Sequence, residues 1–256
     1  MDRAAFADDG FVVLRGAIDP APLRAEIAAA LAAGFRGPGA RNVSAEAGIE
    51  FRYLPMMVAS TPVSLGLLRR FTAVAEELLG RAVLPGRTKG VEYHGASGWH
   101  RDSELPVASV GFLTYLEPLA AATGALRVVP GSHQRNDAAT AGAVAIDTAP
   151  GDVIILDEHL LHASEGGGVR LQWRVDFVAR PTTAAEEEVV RRYYGGNFSP
   201  DWDGGYDVDA FPTYGPHWRA ICDAEVGAEL ARLGAYAGAE AEESAVRRRR
   251  SAKIGP

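Results

Sequence analysis

Between residues 86 and 180 the chain is a succession of short β-branched and aromatic runs separated by Gly, Pro, Asn and Asp. That is the pattern of many strands joined by turns. The spacing predicts strands near 88–94, 97–103, 108–116, 125–129, 143–147, 152–157, 159–164 and 170–179. Eight strands point to a jelly-roll barrel, a double-stranded β-helix of cupin-like form, in a mainly β protein with flanking helices. The last strand is the clearest. Arg170-Leu-Gln172-Trp-Arg174-Val-Asp176-Phe alternates strictly, so Leu171, Trp173, Val175 and Phe177 share one face and Arg170, Gln172, Arg174 and Asp176 the other. The charged face is either the solvated side of an antiparallel sheet or a wet barrel interior that binds a carboxylate through a guanidinium fork.

Around this core the texture is helical. Phe11–Leu14 follows an Asp-Asp-Gly turn and reads as a first strand. Leu23, Ile27 and Leu31 recur every four residues in a helix over 21–34 that stops at Gly34. Leu68, Phe71, Val74 and Leu78 share a face over 64–79, with Gly80 following. These N-terminal helices are expected to pack on one sheet, with Gly37–Val58 as an irregular loop between them. Beyond Pro181 a Glu-rich segment leads into the aromatic stretch Tyr193–Tyr214 and a helix near 218–233, together a lid or cover. Residues 238–256 carry an acidic run and then Arg247–Arg250, a pattern usual in solvated tails. The expected organisation is one domain over 1–237, with its β core at 86–180, a cover at 181–237 and a flexible charged tail at 238–256.

Composition narrows the function classes. With 256 residues, 47% of them hydrophobic, there is apolar material for one sizeable core. A formal charge of -7 gives no general attraction to nucleic acid or to anionic lipid. No uncharged apolar run approaches the roughly 20 residues of a membrane span. The start lacks the basic-then-apolar order of a secretion signal. The lone Cys222 can form no internal disulfide and no zinc-ribbon ligand set, which suits a reducing compartment. A cytoplasmic protein is expected, with a small-molecule partner and neither nucleic acid nor membrane.

The chemistry-bearing residues lie inside the β region. In a strand, residues two apart project together, so His100 and Asp102 of His-Arg-Asp form a pair of metal ligands by geometry. A lone His-x-Asp is common by chance and serves equally as surface polarity. About 60 residues on, His159 and His162 compete as a third ligand, and being three apart they face opposite sides of a strand. If His162 faces inward, so does Ser164.

Taken together, Gly10-Phe-Val-Val-Leu14, Trp99-His-Arg-Asp-Ser103, Gly124-Ala-Leu-Arg-Val-Val-Pro-Gly-Ser-His133, Gly151-Asp152, His162-Ala-Ser164 and Arg170 resemble the phytanoyl-CoA dioxygenase family of non-haem Fe(II)- and 2-oxoglutarate-dependent oxygenases. The likeness runs in the expected order over roughly residues 6 to 180 and leaves the C-terminal third uncovered. It implies that His100, Asp102 and His162 hold the iron: two imidazoles and one carboxylate on one face of an octahedron leave three positions, two for the ketoacid and one for O2. It implies further that Arg170 and Ser164 bind the distal carboxylate of 2-oxoglutarate, with Arg174, on the same face, as a rival for that role. The family often has Asn-Gly where Thr123-Gly124 stands here, and an aromatic residue where Leu113 stands. His133 and His94 read as structural, and Lys89 as either a surface residue or added charge near the cosubstrate.

The activity this implies is oxidation, by default hydroxylation, of a C–H bond of a small metabolite, with release of succinate and CO2. Desaturation, epoxidation and ring formation stay open. Halogenation is disfavoured, because related halogenases replace the ligand carboxylate with a small residue and Asp102 is present. Trp99, Tyr93, Arg127 and Arg174 are the candidate substrate contacts, and the extra arginines suit a polar or carboxylate-bearing compound of specialised metabolism. The alternatives are a cupin-like isomerase or hydrolase that uses no 2-oxoglutarate, and a non-catalytic jelly-roll binding module.

Overall fold

The computed structural model describes residues 2–35, 42–44, 49–164, 168–197 and 206–253. In chain order these residues form α1 (Arg3–Asp9), β1 (Phe11–Leu14), α2 (Pro20–Gly34), β2 (Asn42–Ser44), β3 (Ile49–Pro55), α3 (Pro62–Leu79), β4 (Val83–His94), β5 (Ser97–His100), β6 (Ser109–Tyr115), β7 (Leu126–Val128), β8 (Val144–Ile146), β9 (Val153–Asp157), β10 (His162–Ser164), β11 (Val169–Ala179), α4 (Ala184–Asn197), α5 (Pro216–Ile221), α6 (Ala224–Arg232) and α7 (Ala235–Lys253). The strands make two antiparallel sheets, one in the order β1-β9-β6-β11-β4-β3-β2 and a smaller one in the order β5-β10-β7-β8. This is the mainly β, cupin-like architecture expected, with the helices flanking it.

The large sheet is buried on both faces, which is why β6 has no exposed residue at all. Its outer face packs on α2 and α3: Phe112, Trp173, Val175 and Phe177 meet Leu23, Ile27, Leu68 and Phe71. Phe71 stacks on Phe112 with 5.0 Å between ring centroids, and Trp173 Nε1 donates to Ser64 Oγ at 2.7 Å. Between the sheets, Leu113, Ile154 and Leu156 interdigitate with Leu126, Val128 and Ile146. The alternation along β11 thus assigns its greasy face to the helices and its polar face to the sandwich interior.

The C-terminal segment packs against the large sheet, where β4 begins and β11 ends. Met57, Leu84, Val178 and Ala179 pack against Tyr193 and Tyr194 of α4, Trp218 of α5, Leu230 of α6 and Ala235 and Ala239 of α7. The solvated tail expected over 238–256 is corrected here: α7 extends to Lys253 and presents Ala235, Ala239, Glu242 and Val246 inward. Their spacing of four, three and four residues is one helix face, a signal hidden under the charge runs. Glu242 lies 2.7 Å from Arg87 on β4, both side chains being almost fully buried. Residues 254–256 of the expected tail lie outside the described residues.

Other expectations shift locally. The expected loop over 37–58 supplies β2 and β3, with Arg52 of β3 gripping Glu92 of β4 across the strands through two hydrogen bonds at 2.6 and 2.8 Å; its residues 37–41 and 45–48 lie outside the described residues. The helix expected over 218–233 is two helices, because the Asp223 carboxylate caps α6 by accepting from the Glu225 and Val226 amides. The turn before β1 is α1, capped by Asp2 and ended by Gly10 at φ 81°, where a side chain would strike His133. Within the aromatic stretch 193–214, residues 198–205 lie outside the described residues. Among the described residues, no helix is long and apolar enough to cross a membrane.

Candidate metal centre

The register of the small sheet brings its two histidines together. His162 of β10 pairs directly with His100 of β5, while Ser164 pairs with Ser97, so β5 bulges between the two pairs. Their rings lie 4.3 Å apart between centroids. Just past β5, the Asp102 and Ser103 amides both donate to the Glu158 carbonyl, at 2.9 and 3.0 Å, which turns the Asp102 carboxylate back toward the imidazoles. It lies 3.7 Å from His100 Nε2 and 3.4 Å from His162 Nε2. One ligand atom from each of the three falls within 4.8 Å of the others.

Backbone carbonyls set the tautomers. Nδ1 of His100 donates to Gly98 O and Nδ1 of His162 to Leu160 O, each at 2.8 Å, so both Nε2 atoms present lone pairs toward Asp102. Burial lowers the His162 pKa, against the pull of Asp102, and keeps that ring neutral. For Asp102, loss of hydration alone would raise the pKa, but Arg174 and then His162 and His100 override it and hold the carboxyl far below its ordinary range. Two imidazoles and one carboxylate fit a divalent transition metal such as iron(II).

The surrounding motifs are scaffolding. Ser132 of the Pro-Gly-Ser-His turn accepts the Leu161 amide at 2.8 Å, fixing the residue before His162. His133 Nε2 donates to Ala7 O at 3.1 Å and so ties the turn to α1 rather than to the metal centre. Arg101, projecting away from its neighbours, donates to the carbonyls of His159, Ser132, Arg135 and Asp137. His159 lies outside the ligand cluster: Nδ1 sits 2.7 Å from Asp157, whose hydrogen bond raises the His159 pKa, and Nε2 is 2.7 Å from Leu105 O. His94 is engaged with Glu92, and Lys89 with Asp176 at 2.8 Å.

The three candidate ligands line a cavity of about 100 Å³ together with Tyr93, Tyr115, Ser164, Arg170, Gln172 and Arg174. Two of the four expected substrate contacts, Tyr93 and Arg174, are therefore at the cavity. Trp99 and Arg127 are not among its lining residues and are corrected: Trp99 alternates with the inward His100, and Arg127 with the inward Leu126. Arg127 instead lies over the Trp99 ring at 5.7 Å. Arg170 is 2% exposed, and its Nη2 donates to Gly95 O at 2.7 Å. Ser164 is 4% exposed, and its Oγ donates to Gly124 O at 3.1 Å. Arg174 is committed elsewhere, to Asp102 at 2.8 Å, to Asp176 and to Glu158 at 3.4 Å. Burial raises the pKa of Tyr93 and of Tyr115, so both phenols stay protonated.

Sequence reasoning missed Glu158, whose carbonyl shapes the Asp102 turn, and Tyr115 at the cavity wall. The run Gly151–Leu161 gave no sign of the first, because a backbone acceptor leaves no trace in residue type. The strand prediction over 108–116 included Tyr115, and parity with Leu113 was the available signal.

Comparison with known proteins agrees with this architecture. The sequence profile of the phytanoyl-CoA dioxygenase family (PhyH) matches residues 6–168. No curated protein matches this sequence. Among solved structures, EvdMO1 superposes with a TM-score of 0.59 at 22% identity, over 70% of this chain and 49% of its own, so the match spans about half of that protein. The non-haem α-ketoglutarate-dependent epimerase SnoN from nogalamycin biosynthesis gives 0.56 at 20% identity, over 72% and 86% of the two chains. EctD from S. alaskensis gives 0.55 at 24% identity, over 69% and 75%. These likenesses establish the shared fold.

Proposed function

Because the chain belongs to the phytanoyl-CoA dioxygenase family, a family of iron(II)- and 2-oxoglutarate-dependent enzymes, we propose that it oxidises a C–H bond of a small-molecule metabolite, with hydroxylation as the outcome and succinate and CO2 as coproducts. One observation carries this reading: His100, Asp102 and His162 converge within 4.8 Å at a cavity whose wall holds a deeply buried arginine, Arg170. When bound, iron(II), 2-oxoglutarate and O2 supply the oxidising chemistry. The protein's own part is to hold and orient. His100 and His162 offer Nε2 atoms whose tautomers are preset by Gly98 and Leu160, and Asp102 is kept ionised by Arg174.

For the distal carboxylate of 2-oxoglutarate, Arg170 is the better supported of the two arginines. Arg174 already holds three carboxylates, and a fourth would compete with Asp102 for the same guanidinium. Ser164 reaches the same end of the cavity by turning its hydroxyl proton away from Gly124. Tyr93 and Tyr115, protonated, serve as neutral hydrogen-bonding walls that shield the site from bulk water. SnoN, an epimerase of the same fold, and EctD, also solved with 5-hydroxyectoine, show that one fold hosts different small-molecule outcomes.

The test is an anaerobic absorbance titration of metal-free protein with iron(II) and then 2-oxoglutarate. A weak visible charge-transfer band that needs both additions, absent in Arg170→Leu, is the expected result. No band in metal-loaded protein removes the oxygenase reading in favour of a cupin-like enzyme or a binding module. A normal band in the variant transfers the carboxylate anchor to Arg174.

A further inference from the structure

On the inner face of β11, Arg174 meets Asp102 Oδ2 through Nη2 at 2.8 Å and Asp176 Oδ1 through Nε. Glu158 Oε1 lies 3.4 Å from the same Nη2. Asp176 is in turn fixed by Lys89 Nζ, 2.8 Å from its other oxygen. The guanidinium is therefore pinned at both ends, by a carboxylate that is itself pinned. Strand β6 closes its remaining side: a Cβ on Gly111 would fall 2.9 Å from Nη2 and 3.1 Å from Asp176 Oδ1. A glycine inside a strand marks such a close approach, and here the body approaching the backbone is the guanidinium.

We propose that Arg174 is a positioning residue of the metal centre, which grips one oxygen of Asp102 and so fixes the orientation in which that carboxylate faces the two imidazoles. The inference rests on the reading of His100, Asp102 and His162 as ligands. Its chemical consequence is preorganisation. Asp102 Oδ1 lies 3.7 Å from His100 Nε2 and Oδ2 3.4 Å from His162 Nε2. With Oδ2 gripped by a planar, immobile donor, the carboxylate is already aimed between the imidazoles and loses little freedom when a metal binds. Lysine cannot substitute fully, because a single ammonium cannot bridge Asp102 and Asp176 with two donors in fixed geometry. The arrangement also explains why a second arginine shares the polar face of β11 with Arg170: one is turned to the cosubstrate and the other to a ligand.

Mn(II), followed by its electron paramagnetic resonance signal, probes this without turnover. In Arg174→Gln the Mn(II) dissociation constant is expected to rise roughly ten- to a hundredfold, the range for loss of a ligand's hydrogen-bonding partner. 2-Oxoglutarate affinity, measured by calorimetry at saturating Mn(II), should change little. Arg170→Gln should do the reverse. Arg174→Lys keeps the buried charge and so guards against misfolding of the Gln variant; its Mn(II) affinity should fall between wild type and Arg174→Gln. Wild-type Mn(II) affinity in both Arg174 variants overturns the proposal, as does loss of 2-oxoglutarate binding with metal binding intact. A wild-type chain that takes up no Mn(II) overturns the metal-site reading and this inference with it.

Discussion

Replacing Arg87 with methionine should unfold the contact between the C-terminal helix and the sheet. The Arg87 and Glu242 side chains are 6% and 3% exposed and meet at 2.7 Å. Burial opposes the charge on Arg87, yet Tyr53 and Glu242 outweigh it and raise its pKa. Removing one partner leaves the other charge buried without its counterion, which costs about 3–5 kcal/mol. Arg87 also lies over the Tyr53 ring at 5.2 Å, a contact worth about 0.5–2 kcal/mol. In a chain of this size each kcal/mol moves the melting temperature by roughly 2–4 °C, so Glu242→Leu should lower it by roughly 6–20 °C and Arg87→Met, which also loses the ring contact, by roughly 7–28 °C. The double variant removes both charges together and should recover most of that loss, since a buried pair exchanged for apolar side chains is often neutral or better. Urea unfolding followed by tryptophan fluorescence gives the four stabilities of the cycle. Single losses below about 1 kcal/mol, the range of an exposed pair, would refute the claim that α7 is docked through a buried charge.

Two further outcomes can be checked. Gly111→Ala should cost about 1–3 kcal/mol through overpacking and, by displacing Arg174, weaken Mn(II) binding as well; a stability loss with wild-type metal affinity would show that the guanidinium yields without releasing Asp102. Burial pushes the Glu243 pKa up to about 7 from its ordinary 4.5, against hydrogen bonding from Thr213. Between those values the folded chain holds a proton that the unfolded chain has lost, so Glu243 makes stability fall as pH rises, by at most about 1.4 kcal/mol per pH unit. Glu243→Gln keeps the acceptor for the Thr213 amide, 2.7 Å away, and should flatten that slope in chemical denaturation from pH 4.5 to 7; an unchanged slope would assign it to other groups.

What the sequence disclosed depended on period and parity. Strands β4 to β11 follow the eight expected runs closely, because alternation and turn residues are local signals. The same parity separated His162 from His159 and put Ser164, Gln172 and Arg170 at one cavity. Alternation with His100 already turned Trp99 away, whereas Ser97, three residues from His100, reaches the cavity only because β5 bulges, and a bulge depends on the partner strand. Helix α7 escaped because its inward face includes Glu242, a charge that makes sense only beside Arg87 from 155 residues away. Strand β3 was concealed in the same way: its Arg52 reads as loop polarity until Glu92 is seen across the ladder. The commitment of Arg174 to Asp102 was likewise invisible, since both were assigned to a common interior without a distance between them.

The pairing of His100 with His162 has a consequence for how the molecule opens and closes. β5 has four residues, β10 has three, and β5 is the edge of its sheet. So short an edge strand, joined across some 60 intervening residues, should have one of the lowest local unfolding free energies in the core. A metal held by both strands binds only the closed form, and at a hundredfold excess over its dissociation constant it adds about 2.7 kcal/mol to closure. The centre then works as a latch on the small sheet, and its emptying and the fraying of that edge become one event, visible as faster amide hydrogen exchange along β5 and β10 while the large sheet beneath stays protected.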